Sequence, residues 1–232
     1  MRNKILEQFS GNEIYKKKWF IIGGLTGSGK TVLLNSFQQA IDIEAIANHR
    51  GSAFGRTNTA QPSCANFENK LAFHYMNNKC SNILLEDESK TIGKATLPKN
   101  WYDKMQTSDL IVMDIKIEDR VQNIVNEYIT LALDQIQTPS LLRDNYLTAL
   151  EKIQRRLGGV LFKKIHVLVD DAFSTNSLEK HKDWVHDLLY YYYDPMYNHK
   201  LNLRKNYIVH LSLIHISEPT RRYAISYAVF CL

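Results

Sequence analysis

Eight consecutive residues carry the strongest chemical signal in the chain: Gly24-Leu25-Thr26-Gly27-Ser28-Gly29-Lys30-Thr31, a G-x-x-x-x-G-K-[ST] run. Glycines permit positive φ and close backbone approach. Successive N–H groups can then point at one phosphate, aided by a helix N-terminus. Lys30 adds a point charge to the terminal phosphates, and the Thr31 hydroxyl can hold Mg²⁺. The chemistry is phosphate binding, and the run alone leaves open whether that phosphate belongs to a nucleotide. Such a loop needs an acid on the metal side. Asp87 in Glu86-Asp87-Glu88-Ser89 is the first choice, Glu86 the second, and Asp114 after Leu110–Met113 a rival. Any of them could instead cap a helix. His49, Arg50, Ser52 and Arg56 occupy a loop rich in donors and glycine, which either clamps a second anion or is plain surface. Arg120 opens a later helix, from which it either reaches phosphate as a lid arginine or forms a salt bridge.

These residues need elements to hold them. Trp19–Ile22 reads as a buried strand before the loop, and Val32–Phe37 continues in helical rhythm, so the motif sits in strand–loop–helix order. Alternation over 40–44 predicts a second strand, and the apolar runs 82–85 and 110–113 predict two more, the last ending at Asp114. Phe67, Leu71 and Tyr75 share one face of a helix between them. From Ser140 onward the pattern is helical, with a stripe from Leu141 to Leu157 ended by Gly158-Gly159 and two further helices before Asp194-Pro195. The expected fold is α/β: a P-loop NTPase-like core with a parallel sheet over 1–139, then a helical region over 140–210. Arg155, Arg156, Lys163 and Lys164, with Lys152, form a basic stretch that can track an RNA backbone or be a solvated helix face. Tyr190–Tyr193 offer either a stacking platform for bases or core packing.

Composition bounds the rest. At 232 residues, 44% hydrophobic and 23% charged, the chain is in the globular range. No apolar run reaches the length of a membrane helix, so no membrane partner is expected. The N-terminus lacks the apolar region of a secretory signal, and three cysteines without metal-ligand spacing do not make a disulfide framework. A reducing, cytoplasmic setting follows. The net charge of +5 is a mild basic bias that suits a polyanionic partner.

The last 22 residues stand apart. Codon by codon, Leu211–Arg221 and Ile225–Leu232 fit the two ends of a common sequencing-library adapter, with Arg222-Tyr223-Ala224 across the variable index. The segment 211–232 is therefore read as a translated adapter and set aside from fold reasoning. Cys64 and Cys80 remain as the native cysteines.

Several strings occur in one order: the loop at 24–31, Asp42-Ile-Glu-Ala-Ile-Ala-Asn-His-Arg-Gly-Ser-Ala-Phe-Gly55, Gln61-Pro62, Phe67-Glu68-Asn69, Glu86–Ser89 with Ile92-Gly93, and Tyr192-Tyr-Asp-Pro-Met-Tyr197. Together they resemble the P-loop portion of the tRNA 2-selenouridine synthases, from about Trp19 to His210. The resemblance implies an enzyme that acts on wobble 2-thiouridine of tRNA. It implies S-geranylation by geranyl diphosphate, followed by replacement of the S-geranyl group with selenium from selenophosphate. Both co-substrates bear phosphate, which gives the loop a task other than nucleotide hydrolysis; Mg²⁺ is an expected companion. Family members also carry an N-terminal rhodanese domain with a catalytic cysteine. No cysteine precedes the first strand here, so that domain is expected on a missing upstream segment, and selenation is not expected of this chain alone. A small-molecule P-loop kinase and a non-catalytic tRNA-binding remnant are the alternatives.

Overall fold

The computed structural model describes residues 12–55, 59–134 and 138–213. Arg56 and residues 214–232 lie outside the described residues. The sheet has the order β2-β1-β5-β6, and all its neighbours are parallel. Its central strand β1 (Lys18–Gly24) is buried from Trp19 onward. It pairs with β2 (Asn82–Glu86) on one side and β5 (Asp109–Asp114) on the other. Both faces of this sheet are covered, so its strands read as continuous apolar runs rather than alternating ones. Trp19, Ile21, Ile83 and Leu85 face one core with Phe67, Leu71 and Trp101. Phe20, Ile22, Leu84 and Ile111 face the other with Leu34.

Three helices border the first core or the site: α1 (Lys30–Leu34), α2 (Ile43–Ala47) and α3 (Cys64–Asn77). The expected strand at 40–44 is not formed. Ala40 makes a single parallel bridge to Leu84, and the chain then turns into α2. The reason is local: the Asp42 carboxylate accepts from Ala45 N at 2.8 Å, an N-cap that starts a helix where alternation predicted a strand. A two-strand hairpin, β3 (Thr91–Ile92) with β4 (Ala95–Thr96), precedes α4 (Lys99–Thr107) and β5.

The helical region follows as α5 (Ile117–Ile124), α6 (Leu131–Asp134), α7 (Pro139–Leu157), α8 (Gly159–Ser174), α9 (Leu178–Leu188) and α10 (Asp194–Leu203). Two stretches are wound as π-helix, Val125–Thr130 and Leu189–Tyr193. The apolar core of this region runs from Val121 to Tyr193 and includes Leu142, Ile153, Ile165, Val169 and Trp184. The chain then returns to the sheet as β6 (Ile208–Leu213), a strand the sequence pattern did not predict. Leu211, Ser212 and Leu213 pair with Val112, Met113 and Asp114, so the ladder runs three residues into the segment read as adapter. Backbone groups make those pairs, and the ladder therefore places no demand on side-chain identity. Among the described residues, no helix is long and apolar enough to cross a membrane.

Candidate functional site

The C-terminal ends of β1, β2 and β5 lie at one edge of the sheet, where open α/β sheets bind ligands. The turn from β1 to α1 is held by its neighbours. Gly27 has φ 81°, and a Cβ there would lie 2.7 Å from Arg120 O and 2.9 Å from Ile124 Cγ1, so no other residue fits. Asn123 Nδ2 donates to Gly27 O at 2.9 Å, and Arg120 Nη1 donates to Thr26 O at 3.2 Å. The phosphate-binding candidates Gly24, Leu25, Thr26, Gly27, Ser28, Gly29, Lys30 and Thr31 thus form one cradle braced by α5.

Lys30 curls over this cradle. Its Nζ donates to Gly24 O and Leu25 O at 3.2 Å and lies 3.8 Å from Glu86 Oε1. Thr31 Oγ1 donates to Glu86 Oε2 at 2.9 Å. The acid beside Thr31 and Lys30 is therefore Glu86, the second choice of the sequence reading. Asp87 faces elsewhere: its carboxylate takes Arg204 Nη1 at 2.6 Å and Lys200 Nζ at 3.3 Å. Arg204 is itself buried and also donates to Met105 O and Gln106 O, so this pair ties the end of α10 to the sheet. Asp114 is exposed at the end of β5.

Sequence reasoning missed Glu44 and Glu88. Their carboxylates and that of Glu86 lie within 4.8 Å of one another. Burial lifts all three above the ordinary carboxylate range, and the Glu86 charge adds to it for the other two, taking Glu44 to about 9 and Glu88 to about 7, whereas Lys30 and the Thr31 hydroxyl hold Glu86 back. Gly51 covers the cluster. With φ 67°, a Cβ at this position would meet Glu44 Oε1 at 2.7 Å and Glu88 Oε2 at 2.9 Å. Glu44 sits in α2, within the 42–55 string that carried the resemblance, and Glu88 in the acidic tetrad; only their convergence was invisible. An all-oxygen set of crowded carboxylates with a threonine hydroxyl is the donor chemistry that suits Mg²⁺.

His49 and Arg50 share a cleft of about 280 Å³ with Thr31, Asp42, Glu44 and Glu127. Gly51 N donates to His49 Nδ1 at 3.1 Å, and burial lowers the imidazole pKa, so His49 is neutral near pH 7. Arg50 Nε lies 3.5 Å from Glu127 Oε1, with the guanidinium over the Tyr128 ring. Arg120, by contrast, is locked. It is 3% exposed and holds both Asp194 oxygens, Nη1 to Oδ1 at 2.8 Å and Nη2 to Oδ2 at 2.7 Å. It braces the cradle as a salt-bridged strut, one of the two roles open from the sequence. The Tyr192–Tyr197 string gains a rationale here: Asp194 secures Arg120, and the Tyr197 ring lies 6.0 Å from Lys30 Nζ.

The basic stretch flanks Gly158-Gly159 at the α7–α8 turn. Arg155, Arg156 and Lys163 are exposed, whereas Lys164 pairs with Asp187 at 2.7 Å. The tyrosines divide: Tyr190 and Tyr191 are each 55% exposed, Tyr192 and Tyr193 are buried. Tyr190 stacks on His186.

Over residues 17–214 the chain matches the family described as the tRNA 2-selenouridine synthase AAA domain. It is 36% identical over 208 residues to a tRNA 2-selenouridine synthase of Shewanella frigidimarina, covering 84% of this chain and 57% of that protein. The same identity holds over 213 residues with a Sulfurovum relative, covering 85% and 56%, and over 190 residues with one of Pseudomonas fluorescens, covering 76% and 52%. The chain spans about half the length of the curated relatives it matches. With its Gly24–Thr31 loop, parallel sheet and matching span, the chain belongs to the tRNA 2-selenouridine synthase AAA-domain family.

Proposed function

We propose that this chain is the P-loop part of a tRNA-modifying transferase that converts wobble 2-thiouridine to 2-selenouridine through an S-geranyl intermediate. The observation that carries this reading is the cradle at 24–31 opening, through Thr31, onto a cleft with His49 and Arg50. The P-loop grips the phosphates of the donor, geranyl diphosphate in the first step and selenophosphate in the second. In geranyl transfer the thiouridine sulfur attacks the first carbon of the geranyl group, the carbon–oxygen bond breaks, diphosphate leaves with that electron pair, and the N3 proton of the thiouridine is released to solvent. The nucleophile is the substrate itself, so the protein must only position the donor and stabilise the departing charge. Lys30 and Arg50 supply that charge, and His49 is a neutral donor or acceptor at the same cleft. Arg120 acts on the site through the cradle rather than on the substrate. Thr31 and Glu86 would hold Mg²⁺, with Glu44 and Glu88 within reach and Asp87 set aside. The ion would add positive charge at the phosphate oxygens. A nucleotide is not required for this chemistry.

Arg155, Arg156, Lys163 and Lys164 contribute the tRNA contact, with Tyr190 and Tyr191 as exposed rings nearby. We assign the selenium step to a rhodanese-type thiolate supplied by an upstream segment. Cys64 is exposed and Cys80 half-buried, and neither lines the cleft. The setting proposed is the cytoplasm, where the tRNA substrate is. The test is nucleoside mass spectrometry of 2-thiouridine tRNA incubated with this chain and geranyl diphosphate, then selenophosphate. S-geranyl-2-thiouridine is the expected product. Lys30→Ala should weaken diphosphate binding by roughly ten- to hundredfold, the worth of a charge-assisted contact. Formation of 2-selenouridine by this chain alone, or unchanged diphosphate affinity in Lys30→Ala, would overturn the respective assignment.

A further inference from the structure

The cleft beside the cradle carries more acid than a second phosphate would tolerate. Asp42, Glu44 and Glu127 line it against one cation, Arg50, which is itself paired with Glu127 at 3.5 Å. A neutral guest with N–H groups to donate suits such a lining better than another anion. At about 280 Å³ the cleft is small. Ligand pockets run from about 300 to 1,000 Å³, so there is room for one nucleobase rather than a whole nucleotide. The cleft shares Thr31 with the cradle, which sets a base there next to the phosphate that the loop holds.

The polar groups of the cleft are not equivalent. Asp42 accepts from Ala45 N through Oδ1 at 2.8 Å and from Asn35 Nδ2 through Oδ2 at 3.3 Å. Glu44 belongs to the cluster with Glu86 and Glu88. His49 accepts from Gly51 N through Nδ1, so the neutral ring carries its proton on Nε2 and presents a donor. Glu127 has one ion pair among the described residues, with Arg50, and its side chain is 49% exposed. It is an acceptor open to both cleft and solvent. Glu127 stands in the π-helical stretch Val125–Thr130, where Val125 and Ile129 are buried. Such wide turns are uncommon and concentrate at functional sites. Here the turn gives Glu127 to the cleft and sets Tyr128 under Arg50, with 4.9 Å from the guanidinium carbon to the ring centre. Unpaired bases stack on guanidinium planes and aromatic rings of this kind.

We propose that Glu127 is the proton acceptor of the transfer step, taking the N3 proton of a thiouridine ring seated in this cleft while His49 Nε2 donates to the ring oxygen at position 4. The proposal rests on the reading of the chain as a thiouridine-modifying transferase. The sulfur–carbon bond forms, the carbon–oxygen bond breaks, and its electron pair leaves on diphosphate. The alkylated ring is then a strong acid at N3. The N3–H electron pair stays on the ring, and the proton passes to the Glu127 carboxylate and from there to solvent. The same two side chains read the base edge. A uracil-type ring presents a donor at N3 and an acceptor at position 4, which matches Glu127 and His49. A cytosine-type ring reverses both, setting an acceptor against the carboxylate and a donor against the Nε2–H.

The test uses the full chain and two stem-loop RNAs that differ at one loop base, 2-thiouridine or 2-thiocytidine, with anisotropy read at fixed Mg²⁺ and inorganic diphosphate. The thiouridine RNA should bind at least about tenfold tighter, the effect of one hydrogen bond to a charged group. Glu127→Ala should shrink that preference to less than about threefold. Single-turnover geranyl transfer, read by nucleoside mass spectrometry, should slow about hundredfold in Glu127→Ala, as for loss of a general base. Affinity for inorganic diphosphate should not fall. Formate, a small carboxylate that fits the space left, should restore part of the rate in Glu127→Ala and leave the parent unchanged. Equal affinity for the two RNAs, or a parental rate in Glu127→Ala, would overturn the proposal. So would a slow variant that formate does not help, which would make Glu127 a structural support. Failure of the transferase reading has a different signature, no geranyl product from the unaltered chain. The RNA comparison on the unaltered chain stands whether or not Glu127→Ala folds.

Discussion

Two adjacent acids at the end of β2 should respond to substitution in opposite ways. Glu86 touches Thr31 at 2.9 Å and Lys30 at 3.8 Å, whereas Asp87 is bound to buried Arg204 at 2.6 Å. Glu86→Gln keeps the volume and an acceptor for the Thr31 hydroxyl while removing one of three crowded carboxyl groups. Its thermal midpoint should hold or rise slightly, and Mg²⁺-dependent diphosphate binding should fall by at least about tenfold, a loss of ~1.5 kcal/mol or more. Asp87→Ala leaves Arg204 buried with only carbonyl partners. Breaking a buried pair from one side costs about 3–5 kcal/mol, and the remaining carbonyl bonds put this case near 3. At roughly 2–4 °C per kcal/mol for a chain of this size, the midpoint should drop by about 6–12 °C. Metal affinity measured below that midpoint should change by less than about threefold. The assays are thermal melts by circular dichroism and Mn²⁺ binding by electron paramagnetic resonance. The reverse pattern, with Asp87→Ala stable but metal-blind and Glu86→Gln still binding, would refute the assignment of Glu86.

Three more outcomes are expected. In metal-free buffer the folded chain holds protons on Glu88 up to about pH 7 and on Glu44 up to about pH 9, which the unfolded chain releases near 4.5, so stability should fall as pH rises through that window; Glu44→Gln should flatten the decline in melts from pH 6 to 9, and a flat parent profile would count against the acid cluster. Arg155→Glu with Lys163→Glu should weaken tRNA binding and reduce the salt slope by about two, read from filter binding across a salt series, whereas an unchanged slope would move the tRNA surface elsewhere. Truncation after His210 should lower the thermal midpoint, because Val112, Met113 and Asp114 lose their ladder partners; an unchanged midpoint would mean that the β5–β6 ladder beyond His210 adds nothing to stability.

The Gly24–Thr31 turn was legible in the sequence, because its shape is a backbone property of eight consecutive residues whose glycines at 24, 27 and 29 take positive φ. The buried strands at 19–22, 82–85 and 110–114 were legible for a related reason: strands covered on both faces need unbroken apolar runs. The stretch at 40–44 was misread because alternation and an N-cap compete over the same few residues, and the Asp42 carboxylate decided for helix. β6 went unread because an edge strand in a parallel ladder is recruited by backbone pairing with β5, a partner about a hundred residues earlier in the chain. Which acid lies beside Thr31 and Lys30 was a tertiary decision as well. Ile22 pairs with Glu86 in the sheet, which sets Glu86 beside the cradle, while Asp87 falls just beyond the strand and meets Arg204 from the far end of the helical region. Glu44 and Glu88 belong to separate segments, His49 and Glu127 to separate regions, and no periodicity links them. Their meeting, and with it the acidic cluster and the cleft, follows from packing α2 and the helical region around one loop, which only the folded chain contains.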